Sequence, residues 1–140
     1  MNLATPSRVI FFSVKTNALK LSHLIATAQS SFASKEPLMI FVEDTTSETF
    51  VDQLLWERPE TSFLPHSIAP LKELIVISRE KKNLNQAKSA FNLCSTPLLL
   101  QPAFEKIYDF EDLTHPLKTR LFNLRFDAYK NAHFLIESIV

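Results

Sequence analysis

Apolar residues recur along this chain in two spacings. Short continuous runs occur at Arg8–Val14 (RVIFFSV), at residues 38–42 (LMIFV) and at residues 74–77 (LIVI), each bounded by polar residues. Runs of this length and apolarity read as strands buried on both faces. Between the first two, Leu21, Leu24, Ile25, Ala28 and Phe32 follow helical spacing. They predict an amphipathic helix over residues 18–32 that Asn17 can cap. Phe50, Val51, Leu54 and Leu55 predict a second helix. Thr45, Thr46 and Ser47 offer caps, Glu48 lies near its first turn, and it ends near Trp56, where Pro59 enforces the stop.

The second half is less regular. Residues 84–93 predict a short helix with Ala87, Ala90 and Phe91 inward. A short strand is expected at 98–100 and another around Ile107 and Tyr108. Asp109, Glu111 and Asp112 read as a solvated loop before a last helix over residues 116–136, for which Pro116 suits the first turn. At 100° per residue, Leu117, Leu121, Leu124, Ala128, Ala132 and Leu135 form one stripe, the expected core face. Lys118, Phe122, Arg125, Phe126, Tyr129 and His133 border it. Strands alternating with helices predict a single α/β domain, 1–140, with helices packed on a mostly parallel sheet. No internal repeat and no low-complexity segment interrupts it.

Composition narrows the chemistry. The chain has 140 residues and no glycine, where average usage of about 7% would give roughly ten. Phosphate-cradling loops use glycine so that backbone amides can approach the ligand, which argues against a nucleotide enzyme. Turns with positive φ should fall to Asn or Asp, such as Asn17, Asp44, Asn83 or Asn123. Fifteen basic residues balance fifteen acidic ones, so the basic surplus of a phosphate-binding protein is missing. Cys94 is the only cysteine. It fits a reducing cytoplasm and reads as a small core residue rather than a nucleophile.

The run after the N-terminus is too short for a signal-peptide core, and no segment approaches the length of a membrane span. The four histidines, His23, His66, His115 and His133, show no i, i+4 pair and suit surface or hydrogen-bonded structural roles. Glu43 and Asp44 read as a strand-end turn with a solvated charge pair. No local catalytic motif and no metal or cofactor signature appears.

Residues 55–66 (LWERPETSFLPH) carry the only tryptophan, a phenylalanine and two prolines between polar residues. Trp56 and Phe63 must pack somewhere, because exposed apolar area costs about 25 cal/mol per Å². They either cap the domain's own core or anchor a partner, for which Trp and Arg are favoured residue types. Proline stiffening lowers the ordering cost of docking.

This segment resembles the signature of the chi subunit of bacterial DNA polymerase III. There a helix ends in L-W-x-R-P and is followed by S-F-x-P-H; Leu55, Trp56, Arg58, Pro59, Ser62, Phe63, Pro65 and His66 fit in order and spacing. Residues Arg125, Phe126, Ala128, Tyr129, Lys130, Ala132 and Phe134 are similar to that family's basic-aromatic helix. The resemblance implies a Rossmann-like three-layer sandwich without nucleotide chemistry and without a cofactor. It implies a cytoplasmic, non-catalytic adapter between single-stranded DNA-binding protein and the clamp loader, touching nucleic acid only indirectly. A psi-like clamp-loader subunit would sit on Trp56, Arg58, Pro59, Phe63, Pro65 and His66. The acidic C-terminal tail of single-stranded DNA-binding protein would sit on Lys118, Arg120, Arg125, Phe126, Tyr129 and Lys130. The chain departs from the family's pattern of basic residues at Asn123 and Asp127. A direct nucleic-acid-binding domain using Lys118, Arg120, Arg125 and Lys130, and an α/β enzyme with a glycine-free site, are the competing readings.

Overall fold

The computed structural model describes residues 6–57, 67–68 and 73–140. Strand β1 (Arg8–Val14) leads to helix α1 (Asn17–Ser34), strand β2 (Leu38–Phe41) and helix α2 (Thr45–Glu57). Strands β3 (Ser67–Ile68), β4 (Ile75–Ser78), β5 (Ser89–Asn92) and β6 (Lys106–Asp112) follow, then helix α3 (Pro116–Asn131) and strand β7 (Leu135–Ile139). The strands form one sheet in the order β3-β4-β2-β5-β6-β1-β7, and every pairing is parallel.

Alternation along the strands builds a core on each side of the sheet. Ile10, Phe12 and Val14 of β1 face α1 and α2, where they meet Leu24, Ala28, Val51, Leu54 and Leu55. Val9 and Phe11 face the other way, toward Phe122 and Tyr129 of α3. The Phe11 and Phe122 rings meet edge to face at 5.0 Å. Helices therefore cover both faces of the sheet, as a Rossmann-like sandwich requires. α3 is the only helix on its side among the described residues; Ala87, Cys94, Leu98 and Phe104, from irregular segments, complete that layer.

The first half follows the sequence reading closely, with one shift: the α1 cap is Thr16, whose hydroxyl accepts from the Leu19 N–H at 3.2 Å. The second half departs from it in four places. The helix expected at 84–93 is a turn followed by β5. Asn83 accepts from the Ala87 N–H at 2.9 Å and donates to the Ala87 carbonyl at 2.7 Å, which holds the turn out of helical geometry. Ala90 and Phe91 then point to opposite faces of the sheet.

Residues 98–100 form no strand. Asp109, Glu111 and Asp112 lie in β6 and not in a solvated loop; Asp109 and Asp112 are buried. The last helix stops at Asn131, and residues 135–139 pair with β1.

Left-handed backbone falls on Lys35, Gln86 and His133, with φ of 56°, 56° and 66°, and not on the Asn and Asp positions expected. Each closes a structural break: at Lys35 α1 ends, with the Lys35 N–H donating to the Phe32 carbonyl and the Glu36 N–H to the Ser31 carbonyl, and His133 turns the chain from α3 into β7. Asn and Asp tolerate this region best in isolation, but the position of the break decides which residue must adopt it.

Candidate functional site

Helix α2 begins at a side-chain cap. Asp44 Oδ1 accepts from the Ser47 N–H at 2.8 Å, and that bond to an anionic acceptor holds the Asp44 carboxyl below its usual pKa. Along the helix, Val51, Leu54 and Leu55 are buried against the sheet. The next residue, Trp56, turns outward in the last turn and is 45% exposed. Helical geometry forces this, since consecutive side chains stand 100° apart and Leu55 takes the core. Of the residues proposed to hold a clamp-loader partner, Trp56 is thus presented at the surface end of α2. Arg58, Pro59, Phe63, Pro65 and His66 lie outside the described residues.

Helix α3 is capped by His115, whose Nδ1 accepts from the Leu117 N–H at 3.1 Å. The face it buries is not the leucine stripe. Phe122, Arg125 and Tyr129 are buried, and Phe126 is half-buried against Phe11 and Phe122. Leu117 and Leu124 are 52% and 60% exposed. The six residues proposed for the acidic tail therefore divide. Arg125 and Tyr129 point inward, Phe126 lies at the boundary, and Lys118, Arg120 and Lys130 are exposed. Arg120 and Lys130 share the outward side about three turns apart, whereas Lys118 stands at the rim of a cleft beside Glu43.

The inward face of α3 forms a polar network. Arg125 Nε donates to both Asp109 oxygens at 3.2 Å; its other nitrogens reach the carbonyls of Ser95 and Phe110 at 3.3 and 3.1 Å. Tyr129 Oη accepts from the Leu98 N–H at 2.9 Å and donates to Asp109 Oδ2 at 3.4 Å. Asn92 Nδ2 donates to Asp109 and to the Thr96 carbonyl. Burial pushes the Asp109 carboxyl up to about 6, against the pull of Arg125 and its hydrogen bonds. Burial and the Asp109 charge push the Tyr129 hydroxyl far above its usual range. The sequence held one usable signal for this network. In KIYDFED, Asp109 shares an inward alternation with Ile107, and a carboxylate on a buried face needs a cation.

A cleft of about 400 Å³ opens beside the network at the carboxyl ends of the strands. Leu21, Leu24, Phe50, Val51 and Leu121 form its apolar wall. Parallel α/β sheets place ligands and active sites at such ends. The ionisable groups here are engaged with one another. Glu43 is exposed, as expected, and accepts from the Ser95 backbone and hydroxyl, which lowers its pKa, so this charge also acts as a latch. Asp112 pairs with Lys20 and Thr114.

Cys94 is buried, and desolvation raises its pKa although Lys81 donates to its sulfur; this is the environment of an inert thiol. His23 stacks on Phe12 at 4.2 Å between centroids. Among the described residues, no group of three or more His, Cys, Asp and Glu side chains is placed to hold a metal ion. None of their helices is long and apolar enough to cross a membrane.

A family model described as "DNA polymerase III chi subunit, HolC" matches residues 7–137, nearly the whole chain. No curated protein matches it.

Proposed function

The chain belongs to the DNA polymerase III chi subunit family, and on that premise we propose that it is a non-catalytic adapter in the cytoplasm, linking single-stranded DNA-binding protein to the clamp loader. Chi is a subunit of the polymerase III holoenzyme, so association with other holoenzyme subunits follows from membership. The observation that carries the partner assignment is Trp56, a large aromatic residue half-exposed at the end of a helix whose preceding residue is fully buried. Removing such a ring from water is a strong docking term, and tryptophan is a preferred interface anchor. The psi-like subunit would take this ring together with Phe63, on the segment that Pro59 and Pro65 stiffen.

The tail site needs revision within the same reading. Arg125 and Tyr129 support α3 from inside and do not touch the peptide. Lys118, Arg120 and Lys130 supply the exposed cations for carboxylates, and the half-buried Phe126 offers ring surface to the apolar end. With only three exposed cations on α3 and Asp127 among them, binding should be weak and strongly salt-dependent.

The test is a titration with a labelled acidic peptide that ends in an apolar residue with a free carboxylate, followed by fluorescence anisotropy. Saturable binding that falls with added salt and on amidation of the terminal carboxylate is expected. A peptide that shows no saturable binding at low salt would remove the tail half of the proposal.

A further inference from the structure

We propose that the exposed leucine ridge of α3 pairs with the same ridge of a second copy of this chain, the two helices running antiparallel about a twofold axis between Leu121 and Leu124. Leu117, Leu121, Leu124 and Ala128 step by four, three and four residues. That spacing makes a seam for a second helix. The domain does not use the seam itself, because α3 turns Phe122, Arg125 and Tyr129 to the sheet. Leu117 and Leu124 are more than half exposed, and Leu121 and Ala128 are half-buried. A contiguous apolar strip of this kind marks a partner surface.

The charges beside the seam select the partner. Arg120 and Asp127 lie seven residues apart and so occupy the same outer edge. Neither has an ion-pair partner among the described residues. An antiparallel register that sets Leu117 on Ala128 of the second copy, and Leu121 on its Leu124, brings Arg120 within reach of Asp127 of that copy. The twofold repeats the pair in the opposite sense. A parallel pairing would put Arg120 of one copy and Asp127 of the other on opposite flanks of the seam and so forfeit the ion pair. Each copy thus carries both halves of the complement, which an isologous interface requires. One pair of short helices buries less than the roughly 1,600 Å² of a standard interface, so the association is weak and reversible. Arg120 also belongs to the proposed tail set, so peptide and second copy compete for it.

Sedimentation velocity on the full chain, from about 1 μM to about 1 mM, covers the range in which weak interfaces dissociate. A sedimentation coefficient that climbs with concentration toward a dimer is expected. Leu124→Glu should abolish that rise with an unchanged circular dichroism spectrum and melting temperature. Arg120→Asp should weaken association at least about fivefold, and Asp127→Arg added to it should restore most of the loss, as a direct ion pair predicts. A wild-type chain that stays monomeric throughout, or a Leu124→Glu variant that dimerises as well as wild type, overturns the proposal. A dimer whose charge reversal is not rescued by the double variant overturns the antiparallel register.

Discussion

Arg125 and Asp109 meet inside the layer between sheet and helix: Nε lies 3.2 Å from each carboxylate oxygen, and the two side chains are 6% and 1% exposed. The same guanidinium reaches the carbonyls of Ser95 and Phe110. Ser95 in turn donates to Glu43 after β2. One arginine therefore ties α3 to β6 and to the loop that carries the Glu43 latch. Asp109→Leu or Arg125→Met leaves the other side chain buried without its partner, which costs about 3–5 kcal/mol. Urea denaturation should show a loss of that size for each. The double variant Asp109→Leu with Arg125→Met should lose less than the sum, because no orphaned charge remains. Single losses below about 1 kcal/mol would mean that water reaches the pair.

The same carboxylate sets a pH dependence of unusual sign. Asp109 is raised from its ordinary 3.8 to about 6. Between those values the folded protein binds a proton that the unfolded chain does not. Stability therefore falls as pH rises from about 4 through about 6. Glu43 and Asp112 are lowered, so their contributions are present above the ordinary carboxylate range and are lost only as pH drops below it. The ordinary value of Glu43 is 4.5, so they leave the upper part of the window, from about 5 to about 6, to Asp109. Urea midpoints measured across that window should decline with rising pH, and Asp109→Asn should flatten the decline. A wild-type midpoint that climbs over the window would contradict the raised carboxyl.

The sequence made the first half legible because each local signal there agrees with the packing. Val9 to Phe12 and Val14 are apolar and buried on both sides of the sheet, and Leu54 and Leu55 mark the inner face of α2 as their spacing says. The second half hid three features behind competing patterns. Ala87, Ala90 and Phe91 fit a helical period, yet Asn83 ties the turn before them. Residues 131–136 fit one too, and without glycine nothing announced that His133 would break the helix. On α3 the leucines formed the cleaner stripe, but Phe122 and Tyr129 bury more area per residue, and Arg125 could not leave Asp109 unpaired. Sheet packing and one buried charge together outweighed periodicity. Of the candidate sites, the place of Trp56 at a helix end was legible; the inward turn of Arg125 and Tyr129 was not, since it depends on a carboxylate sixteen residues away.

A chain without glycine carries a strain that glycine can relieve. Lys35 sits at φ 56° and ψ 36° to close α1, and the left-handed region costs an L-residue about 1–2 kcal/mol. Lys35→Gly removes that cost and gives back about 0.4–1 kcal/mol through greater freedom of the unfolded chain. A net gain of roughly 0.5–1 kcal/mol is expected in the urea midpoint. Lys35→Ala, which keeps the Cβ, should show no such gain.

Trp56 is the only tryptophan of the chain, so its emission reports on the surface proposed for the psi-like subunit. Docking should move the half-exposed indole out of water and shift its fluorescence to the blue. Trp56→Ala should then weaken partner binding by about 2 kcal/mol or more, roughly thirtyfold, as an interface anchor does. The urea midpoint separates this from a packing role, because a ring already 45% exposed returns only part of its area to water on truncation, a loss of about 1 kcal/mol. Phe63→Ala should weaken binding of the same partner, and loss of both rings should leave tail-peptide binding on α3 unchanged. A Trp56→Ala chain that binds its partner as tightly as wild type would place the clamp-loader contact elsewhere.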